Sequence, residues 1–474
     1  MKIPPTPPAF AKLMKQASAA NRWDAIMGLA RESTPANDYP HWDKLRHLKP
    51  PSGVSSEEWW LAVKMQRFGA LKPVPLLDKR GRPFQFSVPD LVQLELHQID
   101  VGAGGSLGVP EPITNPQTRD HYLIRSLIEE AITSSQLEGA VTTREVAKEL
   151  IRTGRTPRDT SEQMILNNYL TMRRITQLKE EPLSPAIVFD IHKLVTDRTL
   201  DDPTAAGRLR QPDEVRVVGD DFGEVFHEPP PAVELQTRLQ AMCDFANAQT
   251  PAFFVHPAVR AIILHFWLAY DHPFVDGNGR TARALFYWEM LHQGYWLLEF
   301  ISISNILRKA PVQYGLSFLH SETDDNDLTY FIVAQTKVIR RAIVELHAYI
   351  DRKTAEVRRV TAQLRALNLF NHRQADLIRH ALKHPDQEYT IASHRESHNV
   401  VYQTARSDLL DLEKRGVLAQ KKRGKKMIFT APADLIERLK KMEVGAHEGA
   451  TLLPQVASQP GNDAMDFERQ PKLL

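Results

Sequence analysis

Hydrophobic and polar positions divide the chain into long helical stretches separated by a few glycine- and proline-rich breaks. From Pro257 to Tyr270 (PAVRAIILHFWLAY) the sequence is apolar and free of Pro and Gly after its first residue, which predicts a buried helix. Thr281 to His292 (TARALFYWEMLH) is again apolar and helical. Upstream, Leu123, Leu127, Ile128, Ala131 and Ile132 recur at helical spacing, and the pattern stops at Gly139, a residue suited to the turn just past a helix end. Ser55 and Glu58 make a capping box in front of Trp59, Trp60, Val63 and Phe68, a helix start with an apolar face. Residues 1–54 carry many prolines and few periodic runs, so loops and short helices are expected there. Gly102, Gly104, Gly105 and Gly108, followed by Pro110 and Pro112, mark a flexible junction.

Two regions read differently. Val215–Val218, a turn over Gly219–Gly223, and Val225–His227 predict a hairpin closed by Pro229, Pro230 and Pro231. Asp327 to Asn368 has no Gly or Pro and keeps a stripe of Leu328, Phe331, Ile332, Ile339, Ile343, Leu346 and Ile350. Past Asp351 this helix turns charged, as a connector leaving a core would. Residues 371–435 then form a separate module, with helices over 374–382 and 391–398, a turn at Asn399, and a third helix from Tyr402 that buries Ala405, Leu409 and Leu412. Gly416 ends that helix. Val417-Leu418 and Met427-Ile428-Phe429 read as strands around a basic tip of Lys421, Lys422, Arg423, Lys425 and Lys426.

Composition narrows the class. A chain of 474 residues, 42% hydrophobic and 25% charged, should hold two to three soluble globular domains. The lone Cys243 excludes an internal disulfide and fits a reducing compartment, so a cytoplasmic location is expected. Met1–Phe10 is proline-rich without the apolar core of a signal peptide. No run approaches the ~20 apolar residues of a membrane span. A net charge of +2 leaves any nucleic-acid binding to local patches.

The chemistry concentrates in His272–Arg283, reading His-Pro-Phe-Val-Asp-Gly-Asn-Gly-Arg-Thr-Ala-Arg, between the two apolar helices. Gly277, Asn278 and Gly279 make a glycine-rich turn opening a helix, where backbone N–H groups converge on an anion. Arg280 and Arg283 are three apart at that helix start, so they share a face, repel each other and oppose the positive end of the dipole. A polyphosphate over them would relieve this. Asp276 offers hard oxygen ligands for Mg²⁺ beside those phosphates. His272 precedes Pro273, which biases it to extended backbone, and it is the one side chain here that takes a proton near neutral pH. No Gly-Lys-Ser/Thr follows the glycines, so this is no Walker loop. His256, His265 and His272 are nine and seven residues apart, which is not the spacing of a helical metal pair, and His256 and His265 are expected to be packing residues.

A second misfit mirrors the first. Ser134 and Glu138, four apart, share one face just before Gly139, and a carboxylate there sits at the negative end of its helix. Each misplaced charge would relieve the other.

The whole string His272–Arg283 resembles the motif of the Fic family, HxFx(D/E)GNGRxxR, at all eight specified positions. Ser134-Ser135-Gln136-Leu137-Glu138-Gly139 resembles the inhibitory motif (S/T)xxxE(G/N), placed N-terminal to the core as in the family's second class. Residues 371–435 resemble a winged helix-turn-helix. The fold class expected is therefore mainly α, a Fic-type helical core with a small β-hairpin flap, plus a C-terminal winged-helix domain. The implied domains are a proline-rich segment (1–54), a helical extension (55–118), a Fic domain with inhibitory and connector helices (119–370), the winged module (371–435) and a disordered tail (436–474).

By that resemblance the reaction is AMP transfer from ATP to a Ser, Thr or Tyr hydroxyl of a target protein. His272 would act as base, Asp276 would hold Mg²⁺, and Gly277, Asn278, Gly279, Arg280 and Arg283 would bind phosphates, with Phe274 anchoring the loop. Ser134 would position the inhibitory helix, and Glu138 would pair with Arg283 and block the γ-phosphate. The hairpin resembles the flap on which a target segment docks. Tyr314 matches a family tyrosine that borders the base or packs in the core. Gln403, Thr404, Arg406, Lys421, Lys422 and Arg423 are the candidate contacts to duplex DNA; a homodimer remains open and no membrane is expected. A kinase reading is disfavoured because the Gly-Asn-Gly core is retained. Two alternatives stand: removal of AMP, with Glu138 orienting a water, and a DNA-binding regulator with a weakly active core.

Overall fold

A computed structural model describes residues 1–31, 39–104, 116–211, 217–218, 225–366, 369–385, 387–423 and 426–442. The chain divides into two units, Met1–Asp351 and Arg352–Leu474.

The first unit opens with four helices, α1 (Phe10–Ala19), α2 (Trp23–Arg31), α3 (Trp42–Leu45) and α4 (Ser56–Phe68), around Leu13, Ile26, Leu45 and Trp60. Short helices were expected before residue 55, and they share a core with α4. The Ser55 cap forms as read: Ser55 Oγ accepts from Glu58 N at 3.2 Å, and Glu58 Oε2 accepts from Ser55 N at 2.8 Å.

A hairpin follows, β1 (Lys72–Leu77) paired antiparallel with β2 (Pro83–Phe86), inside the stretch read as a helical extension. That reading is corrected. Pro73 and Pro75 hid the alternation that buries Val74 and Leu76, and a two-stranded sheet has only edges, where proline is tolerated. Asp78 closes the turn, its Oδ1 accepting from Arg80 N at 2.8 Å and Arg82 N at 2.9 Å.

Next come α5 (Asp90–Ile99), α6 (Pro116–Leu137), α7 (Arg144–Thr153), α8 (Thr160–Leu178), α9 (Pro185–Val195) and α10 (Leu235–Ala246). Between α9 and α10, β3 (Val217–Val218) pairs antiparallel with β4 (Val225–His227). The rest of the expected hairpin, the 105–115 junction, Lys425 and the tail from 443 lie outside the described residues.

At the centre, α11 (Pro257–Asp271) packs against α12 (Asn278–His292), and α6, α8, α9 and α10 surround them. A helix apolar on every face must be enclosed on every side. Phe266, Trp267, Phe286 and Trp288 are accordingly buried, each large apolar side chain stabilising by about 1.5–3 kcal/mol. Beyond lie α13 (Ile303–Lys309), α14 (Pro311–Thr323) and α15 (Thr329–Ala366).

The second unit has its own core of Leu377, Ile378, Ile391, Ala405, Leu409, Leu412, Val417 and Phe429. It comprises α16 (His372–Lys383), α17 (Ile391–His398), α18 (Tyr402–Lys414), and the antiparallel pair β5 (Ala419–Arg423) and β6 (Lys426–Thr430). Asn399 ends α17 in the left-handed region at φ 48°. A last helix, α19 (435–442), buries Leu435 and Leu439 in that core, so its packing continues past the boundary read at 435. The fold is mainly helical, with three two-stranded sheets among the described residues.

Candidate active site

The site is the loop from α11 to α12. His272 closes α11 with φ 45° and ψ 56°, its N–H donating to Leu268 O at 3.0 Å. The extended backbone expected ahead of Pro273 is corrected: capping the last turn of α11 outweighs the local bias. Phe274 is fully buried and stacks on the His192 ring at 3.7 Å. The Asn278 amide pins the loop from the other side, its Oδ1 accepting from Phe274 N at 2.9 Å and its Nδ2 donating to Phe274 O at 2.8 Å. Gly277 has φ 78°, and a Cβ there would fall 2.6 Å from Thr196 Cγ2. Glycine is required on both counts.

The first internal bond of α12 runs from Thr281 N to Gly277 O at 2.9 Å. The amides of Asn278, Gly279 and Arg280 precede it, so no carbonyl within the helix takes them. Arg280 and Arg283 are both buried at this end, each 2% exposed. Arg280 donates to Val195 O at 3.0 Å and lies 3.4 Å from Asp276 Oδ2, while its buried Nε has no partner among the described residues. An unmet buried donor costs roughly 1–3 kcal/mol, so an anionic ligand would be favoured there.

Arg283 is held by the end of α6 through Nε and Nη2. Its Nε donates to Ser134 Oγ at 2.9 Å, and its Nη2 donates to Ser134 O at 3.0 Å and to Glu138 Oε1 at 2.8 Å. Glu138 follows the last residue of α6, with its side chain 29% exposed. Its carboxylate overlies Gly279, where a Cβ would collide with Oε1. The two misplaced charges of the sequence thus meet across the site.

Burial pushes the His272 imidazole down to about 4, helped by the nearby His227, so the ring is neutral near pH 7. Its Nδ1 lies 3.4 Å from Ala269 O, an acceptor, which leaves Nε2 to take a proton. Asp276 suits a hard cation: Oδ1 accepts from Gly277 N at 2.6 Å, and the side chain is 61% exposed, so Oδ2, held only by the long 3.4 Å contact to Arg280, is within reach of a hydrated ion.

Three positioning residues were not read from the sequence. His192 accepts from Gly207 N at Nδ1 (2.9 Å), so its Nε2–H donates to Asp276 O (2.9 Å). Arg210 donates from Nε to His272 O at 2.8 Å, and its N–H donates to Pro273 O at 2.8 Å. His227, on β4, has Tyr270 O 2.7 Å from Nε2 and the Glu322 carboxylate 2.8 Å from Nδ1. With acceptors on both sides it favours the doubly protonated ring: burial opposes the charge, but Glu322 raises the pKa overall.

Of the remaining sequence candidates, His256 Nε2 lies 3.1 Å from Asp100, and the fully buried His265 has Nε2 2.8 Å from the Tyr314 hydroxyl. Tyr314 packs against the core beside Arg283. In the second unit, Gln403 is exposed on α18, Thr404 and Arg406 half-buried, and Lys421 and Lys422 exposed on β5. Arg423 pairs in register with Lys426.

Residues 182–290 match the Fic/DOC family. The Fic/DOC stretch takes in the whole loop, and Ser134, Glu138 and the second unit fall outside it. A protein adenylyltransferase Fic from Nematostella vectensis is 29% identical over 168 residues, 34% of this chain and 37% of that protein. Its counterpart from Drosophila willistoni is 31% identical over 133 residues, 28% of this chain and 24% of that protein. The chain therefore spans well under half the length of the curated relatives it matches. A Fic family protein from Desulfovibrio desulfuricans G20 superposes with a TM-score of 0.48 at 18% identity, over 72% of this chain and 95% of that one.

The neutral, buried histidines make stability pH-dependent. Burial lowers His192 and His272 to about 4 and His265 to about 3, from 6.5. Below pH 6.5 the unfolded chain takes up protons that the fold excludes, so stability is full above that pH and falls as pH drops toward 4. Each such group contributes up to about 1.4 kcal/mol per pH unit. Urea unfolding between pH 7 and 4.5 should show the first unit losing stability; a flat profile would refute the neutral assignment.

Proposed function

We propose that this chain transfers AMP from ATP to a Ser, Thr or Tyr hydroxyl of a target protein and that Glu138 restrains it. One observation carries the reading: a buried anion site at the start of α12, built from Arg280, Arg283 and free helix amides, already engaged by an internal carboxylate. Such a site suits phosphates. The names of the relatives agree with it.

In this mechanism the turn at Gly277 lets Asn278, Gly279 and Arg280 present backbone donors to the phosphates, Arg280 Nε gains a partner, and Arg283 takes the γ-phosphate once Glu138 withdraws. His272 Nε2 accepts the proton of the target hydroxyl, whose oxygen bonds the α-phosphorus as the bond to the bridging oxygen breaks and pyrophosphate leaves. Mg²⁺ at Asp276 would neutralise charge on the α- and β-phosphates. The chain's contribution is position, fixed charge and a neutral base. Phe274, Asn278, His192 and Arg210 hold the loop in place beforehand.

Replacing the base tests the assignment first. His272→Ala should fold as wild type and lose about 10²–10⁴ in AMP transfer, measured with labelled ATP. Retained transfer would remove His272 from the chemistry.

Restraint by Glu138 has its own signature. Glu138→Gly frees Arg283, and relief of ~3 kcal/mol corresponds to about a hundredfold gain in labelling. Adding Arg283→Ala should abolish that gain, because the liberated group is then missing. Equal or lower labelling by Glu138→Gly would rule out simple inhibition. A second reading, removal of AMP from a modified target, is favoured by Glu138 lying close enough to His272 to influence its ionisation. In that case wild type would clear a modified target and Glu138→Gly would not.

The second unit supports a further function, binding of duplex DNA by a winged helix-turn-helix. Exposed Gln403 on α18 and exposed Lys421 and Lys422 on the β5–β6 hairpin carry it. Neutralising Lys421, Lys422 and Arg423 in the full-length protein should weaken gel-shift affinity and reduce the salt slope by ~1 per lost phosphate contact. An absence of wild-type binding at low salt would leave the unit a protein-contact or structural element.

A further inference from the structure

Away from the Fic/DOC stretch, His41 and Asp43 at the start of α3 meet His320 of α14. His41 Nδ1 lies 3.1 Å from Asp43 Oδ1, and His320 Nε2 lies 3.0 Å from Asp43 Oδ2. The three ligand atoms all fall within 4.8 Å of one another.

Hydrogen bonds fix the proton on His41. Thr323 Oγ1 gives its own proton to Leu319 O at 2.6 Å. At 3.3 Å from His41 Nε2 that oxygen acts as acceptor, which places the hydrogen on Nε2. Asp43 N–H donates to Nδ1 at 3.3 Å, so Nδ1 presents a lone pair. A nitrogen lone pair and a carboxylate oxygen then face each other at 3.1 Å, two acceptors without a hydrogen between them. That arrangement repels unless a cation neutralises it, and a second imidazole nitrogen touches the same carboxylate.

We propose that His41, Asp43 and His320 bind a divalent cation of the zinc class, joining the N-terminal helices to α14. Two imidazoles and one carboxylate suit a borderline ion, whereas Mg²⁺ and Ca²⁺ favour oxygen donors. With ligands about 2.0–2.1 Å from zinc, the edge of a tetrahedron is roughly 3.4 Å, and each nitrogen already lies within that reach of one Asp43 oxygen, His41 at Oδ1 and His320 at Oδ2. Ligation through a single carboxylate oxygen requires the group to close up. The imidazole rings lie 15° from parallel with centroids 4.4 Å apart, so one ring has to turn toward the common centre. His320 is the one with room, its side chain 21% exposed, while His41 is enclosed with its Nε2 against Thr323, and a cation at Nδ1 would replace the long 3.3 Å bond from Asp43 N. A cavity of about 380 Å³ bordered by Lys44 and His320 leaves space for a water as fourth ligand.

This inference is independent of AMP transfer, and so is its test. Full-length protein stripped with chelator is titrated with Zn²⁺ by calorimetry and with Co²⁺ by visible absorption, which reports tetrahedral coordination. We expect one ion per chain, a raised Tm, and uptake that excess Mg²⁺ does not displace. His320→Gln and Asp43→Asn should each weaken Zn²⁺ binding at least about tenfold, the scale seen on losing even an outer-shell partner. His320 is partly exposed, so that variant should keep its fold and decide the matter if Asp43→Asn does not. No saturable uptake, or uptake that His320→Gln leaves unchanged and that therefore belongs elsewhere, such as the His380–His384 pair, would overturn the proposal.

Discussion

A guanidinium buried at the positive end of a helix dictates much of the centre of this molecule. Arg283 cannot reach water, sits beside Arg280, and faces the free amides of α12. Desolvated charge of one sign must find the other sign or destabilise the fold. The end of α6 supplies it, with Ser134 meeting two of the donors and Glu138 a third contact. The packing of α6 near α12 is thus an electrostatic necessity as well as a hydrophobic one. The same contact occupies the position where a substrate anion would be best bound.

Around this pair the loop is braced from several directions. Phe274 stacks on His192, Asn278 closes a two-bond ring with Phe274, and Arg210 holds two successive carbonyls, of His272 and Pro273. Ordering a loop costs roughly 1–2 kcal/mol per residue in backbone entropy. Here that cost is met during folding, before any ligand arrives, which is the preorganisation that fixed-charge catalysis calls for.

The loop and its opposing carboxylate were legible in the sequence because both are local: charges at the wrong ends of helices need no knowledge of tertiary structure to be noticed. His192 and Arg210 were not, since they reach the loop from 84 and 62 residues away and nothing in their own neighbourhoods marks them. His272 illustrates the reverse failure. A local bias from Pro273 pointed to extended backbone, and the demand for a helix cap prevailed. The 72–86 hairpin was missed because its prolines, usually breakers, sit on edges where no N–H was needed. The second unit's helices and last strand were legible, but Val417 and Leu418, read as a strand, form a bend that turns their side chains into the core before β5 starts at Ala419, and α19 required knowing that its leucines close that core.

Gly279 gives the central contact a property that charge alone would not. Its missing side chain is the volume into which Glu138 fits. A second group therefore cannot enter the space over Gly279 while Glu138 fills it, whatever the ionic strength: dissolved ions screen attraction and repulsion between charges over a Debye length of about 8–10 Å, but they do not soften atomic overlap. Mobile salt would have little purchase on the restraint proposed above. Its release would be mechanical, a displacement of the end of α6 by the width of one carboxylate, and whatever grips that helix elsewhere along its length would hold a lever on the site.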